Sequence, residues 1–365
     1  MEVFKGVGPE LKPFYYYVCK PEYESLIKGA VLVLHGAEEH GGRYEPFGNE
    51  LAKNGYVMYA MDNLGHGKIT TEKKDSLGSW KKTDFKSTAY NAYYMLDLIR
   101  RTYPGKPVYI VGHDYGGTMA QYVLGTYPHA IDGLIISSCG MPTARDKKVF
   151  LGAWLKKVLF YDETKNKGAF KSRTSFLNMH FKPTRTKYDW LNSVPSEVDR
   201  FIEDPLSGYV GTIGYYYYQY KYVVAIPRII RFKKINKEIP ILFLAGKNDY
   251  VTARGKKVSQ LATYYKNKGF TNVDLKLYDK SRHDVLLEWN KEQVAEDIAN
   301  FINKYSYKEE PKENKLVEID EIKIVTVEKM KEEPKQEKII DVVEFKEEEP
   351  EDDLKLSTEI KKDNK

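Results

Sequence analysis

The stretch Val108-Tyr-Ile-Val-Gly-His-Asp-Tyr-Gly-Gly-Thr-Met-Ala120 decides how the chain is expected to fold. Its first part, Val108 to Val111, is an apolar run that is too short for a helix and typical of a buried β-strand. Gly112 interrupts the run, and after the Gly116-Gly117 pair an apolar pattern with helical spacing continues through Ala120. We therefore predict a strand, a tight turn and a helix in immediate succession.

This turn has the pattern of a nucleophile elbow, in which small residues let the central side chain stand above a sheet at the start of a helix. The central residue is Asp114, where an esterase carries Ser. Asp also tolerates the positive φ that such a turn often requires. A carboxylate at a helix start is stabilised by roughly 0.3 to 1 kcal/mol whether or not it reacts. Asp114 is therefore either a reactive carboxylate or only a helix-terminal anion.

Apolar runs of strand length alternate with helical patterns along most of the chain. The predicted strands are Pro13–Cys19, Ala30–Leu34, Val57–Met61, Val108–Val111, Gly133–Ser138, Ile239–Ala245 and Val273–Leu277. Helices are predicted from about Phe47 and over Phe85–Tyr103, Val258–Lys266 and Lys291–Tyr305. This alternation predicts an α/β fold with a mostly parallel sheet, helices on both faces and an active site at the carboxyl ends of the strands. Four residues that follow predicted strand ends are candidates for that edge: His35, Asp62, Asp114 and Cys139.

Between about residues 141 and 236 the alternation stops. The stretch is rich in aromatic and basic residues, including Tyr215-Tyr-Tyr-Tyr-Gln-Tyr220, and its apolar residues favour helices and loops. We interpret residues 141–236 as a mainly helical cap, inserted into an α/β core formed by residues 1–140 and 237–306.

Residues 307–365 differ from the rest in charge and contain a repeat. Lys308-Glu-Glu-Pro-Lys312 recurs 23 positions later as Lys331-Glu-Glu-Pro-Lys335. From Lys308 onward the chain has 13 Lys and 20 acidic residues, whereas residues 1–307 have 45 basic and 32 acidic residues. The low apolar content predicts a disordered tail, which either carries short motifs for a protein partner or is a solvated repeat without one. The basic body either favours anionic lipid surfaces and acidic substrates or reflects only a Lys-rich composition.

Several classes of protein are disfavoured by composition. The start of the chain lacks the apolar core of a signal peptide, and no apolar run of this 365-residue chain reaches the roughly 18 to 20 residues that span a bilayer, so a cytoplasmic location is expected. Cys19 and Cys139 predict neither a disulfide framework nor a metal site, and no cofactor is expected. We interpret His40, His66 and His113 as loop histidines around the site entrance rather than metal ligands.

Several motifs, in order, resemble one known family. They are His35-Gly-Ala-Glu-Glu-His-Gly-Gly-Arg-Tyr44, Asp62-Asn-Leu-Gly-His-Gly67, the elbow around Asp114, Gly246-Lys-Asn-Asp249 and His283-Asp-Val-Leu-Leu-Glu288. Together they are similar to the monoacylglycerol lipase and lysophospholipase group of α/β hydrolases, among the serine aminopeptidase-like hydrolases. In the cap, Arg185-Thr-Lys-Tyr-Asp-Trp-Leu191 resembles a signature of bacterial members. The resemblance covers roughly residues 10 to 306.

The resemblance implies an α/β-hydrolase fold and carboxylic ester hydrolysis on small lipids. It places the catalytic acid at Asp249, the catalytic histidine at His283, and the oxyanion-hole N–H groups at Ala37 and Tyr115. The nucleophilic serine of the family falls on Asp114, which is the one departure at the chemistry.

Aspartate changes the chemistry expected at the elbow. Its attack on an ester would give a mixed anhydride, more reactive than the ester itself, whereas its attack on a tetrahedral carbon gives an alkyl-enzyme ester that a histidine-activated water can hydrolyse. The elbow Gly112-His-Asp-Tyr-Gly116 is similar to that of haloalkane dehalogenases and epoxide hydrolases of the same fold, although those usually have Trp where this chain has Tyr115.

Three functions from different classes therefore remain open. The first is a hydrolase of small lipid-like esters, through water activated by His283 or Asp114. The second is a hydrolase of epoxides or haloalkanes with Asp114 as nucleophile. The third is a catalytically silent protein that binds a lipid or a protein partner. The expected partners are a small lipid-like substrate, a membrane surface in peripheral contact, and a protein partner for the tail. Nucleic acid is not expected, because the basic segment Arg228-Ile-Ile-Arg-Phe-Lys-Lys234 has no accompanying motif.

Overall fold

A mostly parallel sheet of eight strands forms the centre of the computed structural model, which describes residues 1–8, 12–72, 77–229 and 232–306. The strands are β1 (Glu2–Val7), β2 (Pro13–Cys19), β3 (Gly29–Leu34), β4 (Tyr56–Met61), β5 (Val108–His113), β6 (Gly133–Ser137), β7 (Ile241–Gly246) and β8 (Val273–Tyr278). Their order across the sheet is β1-β2-β4-β3-β5-β6-β7-β8. The pairs β1/β2 and β2/β4 are antiparallel, and all the other pairs are parallel.

Helices connect the strands and cover both faces of the sheet. They are α1 (Glu45–Lys53), α2 (Ile69–Glu72), α3 (Asp84–Thr102), α4 (Tyr115–Thr126), α5 (Ala144–Leu159), α6 (Lys167–Asn178), α7 (Pro195–Glu203), α8 (Ile213–Ile229), α9 (Lys256–Asn267) and α10 (Lys291–Ser306). Single 3₁₀ turns lie at Glu24–Leu26, Gly41–Tyr44, Met179–Phe181, Phe232–Lys234 and Val285–Leu287. None of the helices in the described ranges is long and apolar enough to cross a membrane.

The central strands are apolar on both sides because each face packs against helices. In β3, Leu32 and Leu34 face one apolar cluster, which includes residues of α3, α4 and α9, whereas Val31 and Val33 face the other, which includes residues of α1 and α10. Alternate residues of a strand point to opposite faces, so a continuous apolar run marks a strand covered on both. This confirms the predicted α/β architecture with a mostly parallel sheet.

Strand β1 and the end of the elbow strand differ from the sequence-based expectations, and β7 begins two residues later than predicted, at Ile241. Strand β1 was not predicted, because Glu2–Val7 is only partly buried and has no apolar run. The elbow strand continues to His113, so this histidine is the last residue of β5 and not a loop residue. Its side chain is buried, with 2% of its surface exposed, against the loop that carries His283.

Helices α5 to α8 lie between β6 and β7, within the segment predicted as a cap. Helix α8 packs against α4 and α5. A separate apolar cluster, formed by Leu177, Tyr188, Trp190, Leu191, Val198 and Phe201, holds the loops between α6 and α7 together. The predicted disordered tail, residues 307–365, lies outside the described residues.

Candidate active site

The elbow forms where β5 passes into α4. Asp114 is the turn residue, with φ of 48° and ψ of −115°, and its N–H donates to the Ser137 carbonyl of β6 at 2.9 Å. A Cβ atom on Gly112 would lie 2.4 Å from the Gly116 carbonyl oxygen, and one on Gly116 would lie 2.0 Å from the Leu34 carbonyl oxygen. Only glycine permits this approach, so the two flanking glycines are what let the turn hold Asp114 at the strand edge.

His283 is oriented by Asp249. Asp249 follows β7 and is completely buried, and its Oδ2 lies 3.1 Å from His283 Nδ1. The same carboxylate accepts hydrogen bonds from the Val251 N–H at 2.8 Å and the Thr252 hydroxyl at 2.8 Å. The Ser138 hydroxyl donates to the His283 carbonyl at 2.7 Å and fixes the backbone of the histidine loop. Because Nδ1 faces Asp249, the other ring nitrogen is turned towards the elbow.

The Asp114 carboxylate lies between His283 and the loop after β3. Its Oδ1 is 3.8 Å from His283 Nε2, and its Oδ2 accepts a hydrogen bond from the Ala37 N–H at 3.2 Å. Tyr115 contributes the first backbone N–H of α4, while its ring packs against Trp80 at 5.4 Å. The five residues selected from the sequence are therefore brought together at the carboxyl edge of the sheet. A carboxylate oxygen lies at the Ala37 N–H, which the family resemblance assigns to an oxyanion hole.

The charges around His283 favour its protonated form. Burial opposes the imidazolium, but Asp249, Asp114 and Asp284 outweigh that effect and raise the pKa of His283 to about 9. At neutral pH the site therefore contains an imidazolium between two carboxylates.

A buried ion cluster lies beneath the site. The Arg43 guanidinium donates to Asp284 Oδ2 at 2.9 Å and also contacts Glu39. Glu39 Oε1 accepts the Gly36 N–H at 2.6 Å and the Tyr44 hydroxyl at 2.8 Å. Although burial acts in the opposite direction, Arg43 holds the pKa of the Asp284 carboxyl well below its usual range. The cluster thereby joins the loop that carries Ala37 to the residue that follows His283.

Two tyrosines of α8 hold the loop after β3 from the other side. Glu38 has a φ of 61°; its N–H donates to the Tyr215 hydroxyl at 3.1 Å, and its Oε1 accepts from the Tyr216 hydroxyl at 2.8 Å. Farther along the loop, His40 Nε2 lies 2.8 Å from Asp204 Oδ2, in the segment after α7. The Ala37 N–H is thus positioned by the core and by the segment between β6 and β7.

His35, Asp62 and His66 are supporting residues. His35 accepts the Asn63 N–H on Nε2 at 3.0 Å, and burial lowers its pKa to about 3. Asp62 accepts the N–H groups of Gly41 at 2.9 Å and Lys68 at 2.8 Å, so it stabilises two loops. Burial also lowers the pKa of His66 to about 3. Among the residues that the structure describes, no group of three or more His, Cys, Asp or Glu is arranged to hold a metal ion.

A small cavity of about 90 Å³ opens beside Asp114. Its wall is part apolar and part polar, and is formed by Asp114, Tyr115, Thr118, Ser138, Cys139, Gly140, Met141, Pro142, Asp146, Gln219, Tyr220, Val223, Val251, Thr252 and Lys257. Cys139 is a buried thiol whose pKa burial raises to about 12, so it is not a thiolate at neutral pH. The cavity has room for a small group next to the Asp114 carboxylate.

Sequence reasoning did not single out Glu39, Arg43, Asp284 or Gln219 as site residues. Arg43 and Asp284 are 241 positions apart, and nothing local marks them as a buried pair. Gln219 had a visible signal, because it is the one amide in the aromatic run Tyr215–Tyr220.

The fold and the geometry of this edge define an α/β hydrolase, with a strand-turn-helix elbow and a buried histidine paired with an aspartate. The chain belongs to the serine aminopeptidase S33 family, whose model matches residues 26–290.

Several of the similar proteins are named as lipases or esterases. A monoglyceride lipase homolog of Monkeypox virus is 30% identical over 111 residues, and the human monoglyceride lipase is 31% identical over 111 residues. Each match covers 30% of this chain and only 38% and 35%, respectively, of the two relatives. A thermostable carboxyl esterase from Bacillus coagulans, solved with glycerol, superposes with a TM-score of 0.75 at 22% identity, covering 84% of this chain and 99% of the esterase. At that identity the superposition shows the shared fold.

Proposed function

We propose that the protein is a hydrolase of small lipid-like esters and that Asp114, His283 and Asp249 are its catalytic residues. The observation that carries the proposal is the buried His283, which lies 3.1 Å from Asp249 and 3.8 Å from Asp114 at the carboxyl edge of the sheet. The match to the family and the two monoglyceride lipase relatives support a lipid ester as the substrate. We further propose that residues 141–236 act as the cap over this site, because Tyr215 and Tyr216 bind the loop that carries Ala37.

The charges of Asp114, His283 and Asp249 before substrate binds suggest how an ester would be hydrolysed without a serine. The ester carbonyl replaces Asp114 Oδ2 at the Ala37 N–H, with the Tyr115 N–H as second donor. The Asp114 carboxylate takes a proton from a water molecule, whose oxygen attacks the carbonyl carbon. When the tetrahedral intermediate collapses, the His283 imidazolium gives its proton to the leaving alkoxide. Asp114 then returns its proton to His283, so that acid and alcohol leave and the resting charges are restored.

One observation favours a second candidate, an Asp-nucleophile hydrolase of epoxides or haloalkanes. Asp114 Oδ2 is already held by the Ala37 N–H, which leaves Oδ1 to attack a tetrahedral carbon. Attack forms a C–O bond and breaks the C–O bond of the epoxide or the carbon–halogen bond. The His283 imidazolium gives its proton to the epoxide alkoxide, or to solvent when a halide leaves, so that the imidazole is neutral before the second step. The alkyl ester has no charge, so His283 loses one of the carboxylates that raise its pKa and becomes a better base for the second step. His283 then takes a proton from the water that attacks the Asp114 carboxyl carbon, and the alcohol leaves.

The test compares the protein with three variants: Asp114→Ala, Asp114→Ser, and Asp114→Ser combined with His283→Ala. Substrates are a short p-nitrophenyl ester, a monoacylglycerol, an alkyl epoxide and a haloalkane. If the protein is an ester hydrolase that uses Asp114, it hydrolyses both esters, and the Asp114→Ala variant does not.

Isotope labelling distinguishes the two proposed mechanisms. In a single turnover in H₂¹⁸O with enzyme in excess, an Asp nucleophile gives an unlabelled alcohol and leaves ¹⁸O in Asp114, which mass spectrometry of the peptide detects. Direct attack by water puts ¹⁸O into the acid product. If the protein is inactive on all four substrates and Asp114→Ser gains esterase activity that depends on His283, the hydrolase proposal is wrong and the protein binds its ligand without turnover.

We also propose that α5 contacts a lipid surface. Leu151, Trp154, Leu155 and Val158 recur at helical spacing on one face and are 53, 44, 49 and 65% exposed. The apolar face continues into Leu159, Phe160 and Tyr161, which are 72, 57 and 85% exposed, and Lys147 and Lys148 are exposed near the start of α5. An exposed apolar face with lysines beside it suits an anionic membrane surface. The segment proposed to bind a protein partner, residues 307–365, lies outside the described residues.

A further inference from the structure

The loop that carries His283 is bound to one stretch of the segment between β6 and β7. The Asp284 N–H donates to the Leu191 carbonyl at 2.8 Å. The side-chain amide of Asn192 donates to the Leu287 carbonyl at 3.0 Å. These two hydrogen bonds fix the stretch between α6 and α7 relative to the loop, so a side chain of this stretch can act on the histidine.

Trp190 lies in this stretch and packs against the His283 ring. Trp190 is 4% exposed, and the centroids of the two rings are 5.5 Å apart, with their planes inclined by 45°. The backbone N–H of Trp190 donates to Asn178 Oδ1 at 3.1 Å, while the next residue, Leu191, is bound to the histidine loop. The indole is therefore held beside the imidazole from both directions along the chain.

The surroundings of His283 give this indole a role beyond packing. The titratable groups around the ring are Asp114, Asp249, Asp284 and His113. The three carboxylates favour the imidazolium, whereas burial opposes it because it removes water from the ring. An aromatic ring within roughly 6 Å attracts a cation, and an indole does so more strongly than the other aromatic side chains. Trp190 thus excludes water from His283 and still stabilises its positive charge.

We propose that Trp190 is a positioning residue for His283, which holds the imidazole towards the elbow and stabilises its protonated form. In this role the indole acts through the histidine. The inference rests on the proposed function, because it concerns the residue that gives a proton to the leaving group there. It also assigns the segment between β6 and β7 a part in the chemistry, in addition to covering the site.

The test measures the pKa of His283 in the full chain by NMR titration of the histidine ring signals. Trp190→Leu keeps the site apolar without an aromatic ring, and Trp190→Phe keeps a smaller ring. We expect Trp190→Leu to lower the pKa, so that the acid dissociation constant of the imidazolium rises roughly three- to thirtyfold, and Trp190→Phe to show a smaller rise. Trp190→Met replaces Trp190→Leu if the leucine variant does not fold. An unchanged pKa in the variant without a ring would overturn the inference.

Tyr188→Leu is the matched control. Tyr188 belongs to the same apolar cluster as Trp190 and is 2% exposed, but its ring packs against Phe201 at 4.9 Å. Both leucine variants lower the Tm because each removes a buried ring, whereas only Trp190→Leu changes the pKa of His283. An equal change of that pKa in both variants would show that loss of packing is sufficient and would overturn the inference.

The pH dependence of ester hydrolysis distinguishes this inference from the proposed function. Because the imidazolium supplies a proton, activity declines as the pH rises through its pKa, and in Trp190→Leu this decline begins at a lower pH. If the protein hydrolyses esters and Trp190→Leu changes neither the pKa nor the pH profile, the proposed function stands and this inference is wrong. If the protein hydrolyses nothing but Trp190→Leu lowers the pKa, the proposed function fails and the action of Trp190 on His283 stands.

Discussion

Asp114 adds a negative charge beside His283 that a serine would not supply. Together with Asp249 it maintains an imidazolium at neutral pH, and the pKa of about 9 for His283 is raised from an ordinary value near 6.5. A raised histidine pKa stabilises the fold fully below pH about 6.5, and that contribution is lost as the pH rises through about 9. The expected contribution is about 3 kcal/mol, because one unit of pKa corresponds to about 1.4 kcal/mol.

We predict that Asp114→Asn lowers the pKa of His283 and reduces the loss of stability between pH 6.5 and 9. NMR titration of the histidine ring signals measures the pKa, and the His283 signal is assigned by its absence in His283→Gln. Thermal unfolding over the same pH range measures the stability. A His283 midpoint at or below 6.5 in the unsubstituted protein would contradict the charge arrangement described for the site.

Arg43 pairs with both Glu39 and Asp284 in the described buried cluster. Its side chain is 9% exposed, and each carboxylate is 4% exposed. We predict that Arg43→Met lowers the free energy of unfolding by about 3 to 5 kcal/mol, because two buried carboxylates then lose the guanidinium that neutralises them. Denaturant unfolding measures the change.

Arg200 provides the matched control for Arg43. It pairs with Glu197 at 3.0 Å, but its side chain is 67% exposed, so Arg200→Met is expected to cost less than about 1 kcal/mol. Equal losses in the two variants would mean that burial of the ion cluster does not determine its contribution.

Helix α5 has an apolar face that is exposed on the surface of the fold. We predict that Trp154→Glu combined with Val158→Glu reduces binding to anionic vesicles at least tenfold in a flotation assay, because two charges then lie in the apolar face. Tyr23→Glu combined with Leu26→Glu is the control, since these residues are 60 and 53% exposed elsewhere on the surface. If both pairs bind vesicles as the unsubstituted protein does, α5 is not the membrane contact.

The bounds of strands and helices were predicted most closely where the apolar residues follow a clear pattern. Strands β4 and β8 and helices α3 and α10 lie within one residue of the expected bounds at each end, because each has an apolar pattern that is typical of its element. Strand β1 could not be found, since its pairing with β2 and not its own apolar residues makes it a strand.

Across the whole molecule, sequence reasoning predicted the edge where the site residues meet but not what surrounds them. Asp114, Asp249 and His283 could be selected because each follows a strand or matches a family motif. The contacts of Glu38 with Tyr216 and of Arg43 with Asp284 join positions 178 and 241 apart, and only the folded chain brings them together.

The carboxylate at the elbow also determines which chemical probes can detect the protein. Fluorophosphonate reagents label hydrolases by reacting with an activated serine hydroxyl, and the turn at Asp114 has none. A proteomic survey based on such reagents would therefore pass over this chain even where it is abundant. Alkylating reagents that esterify a carboxylate, such as small epoxides, are the probes that match its elbow.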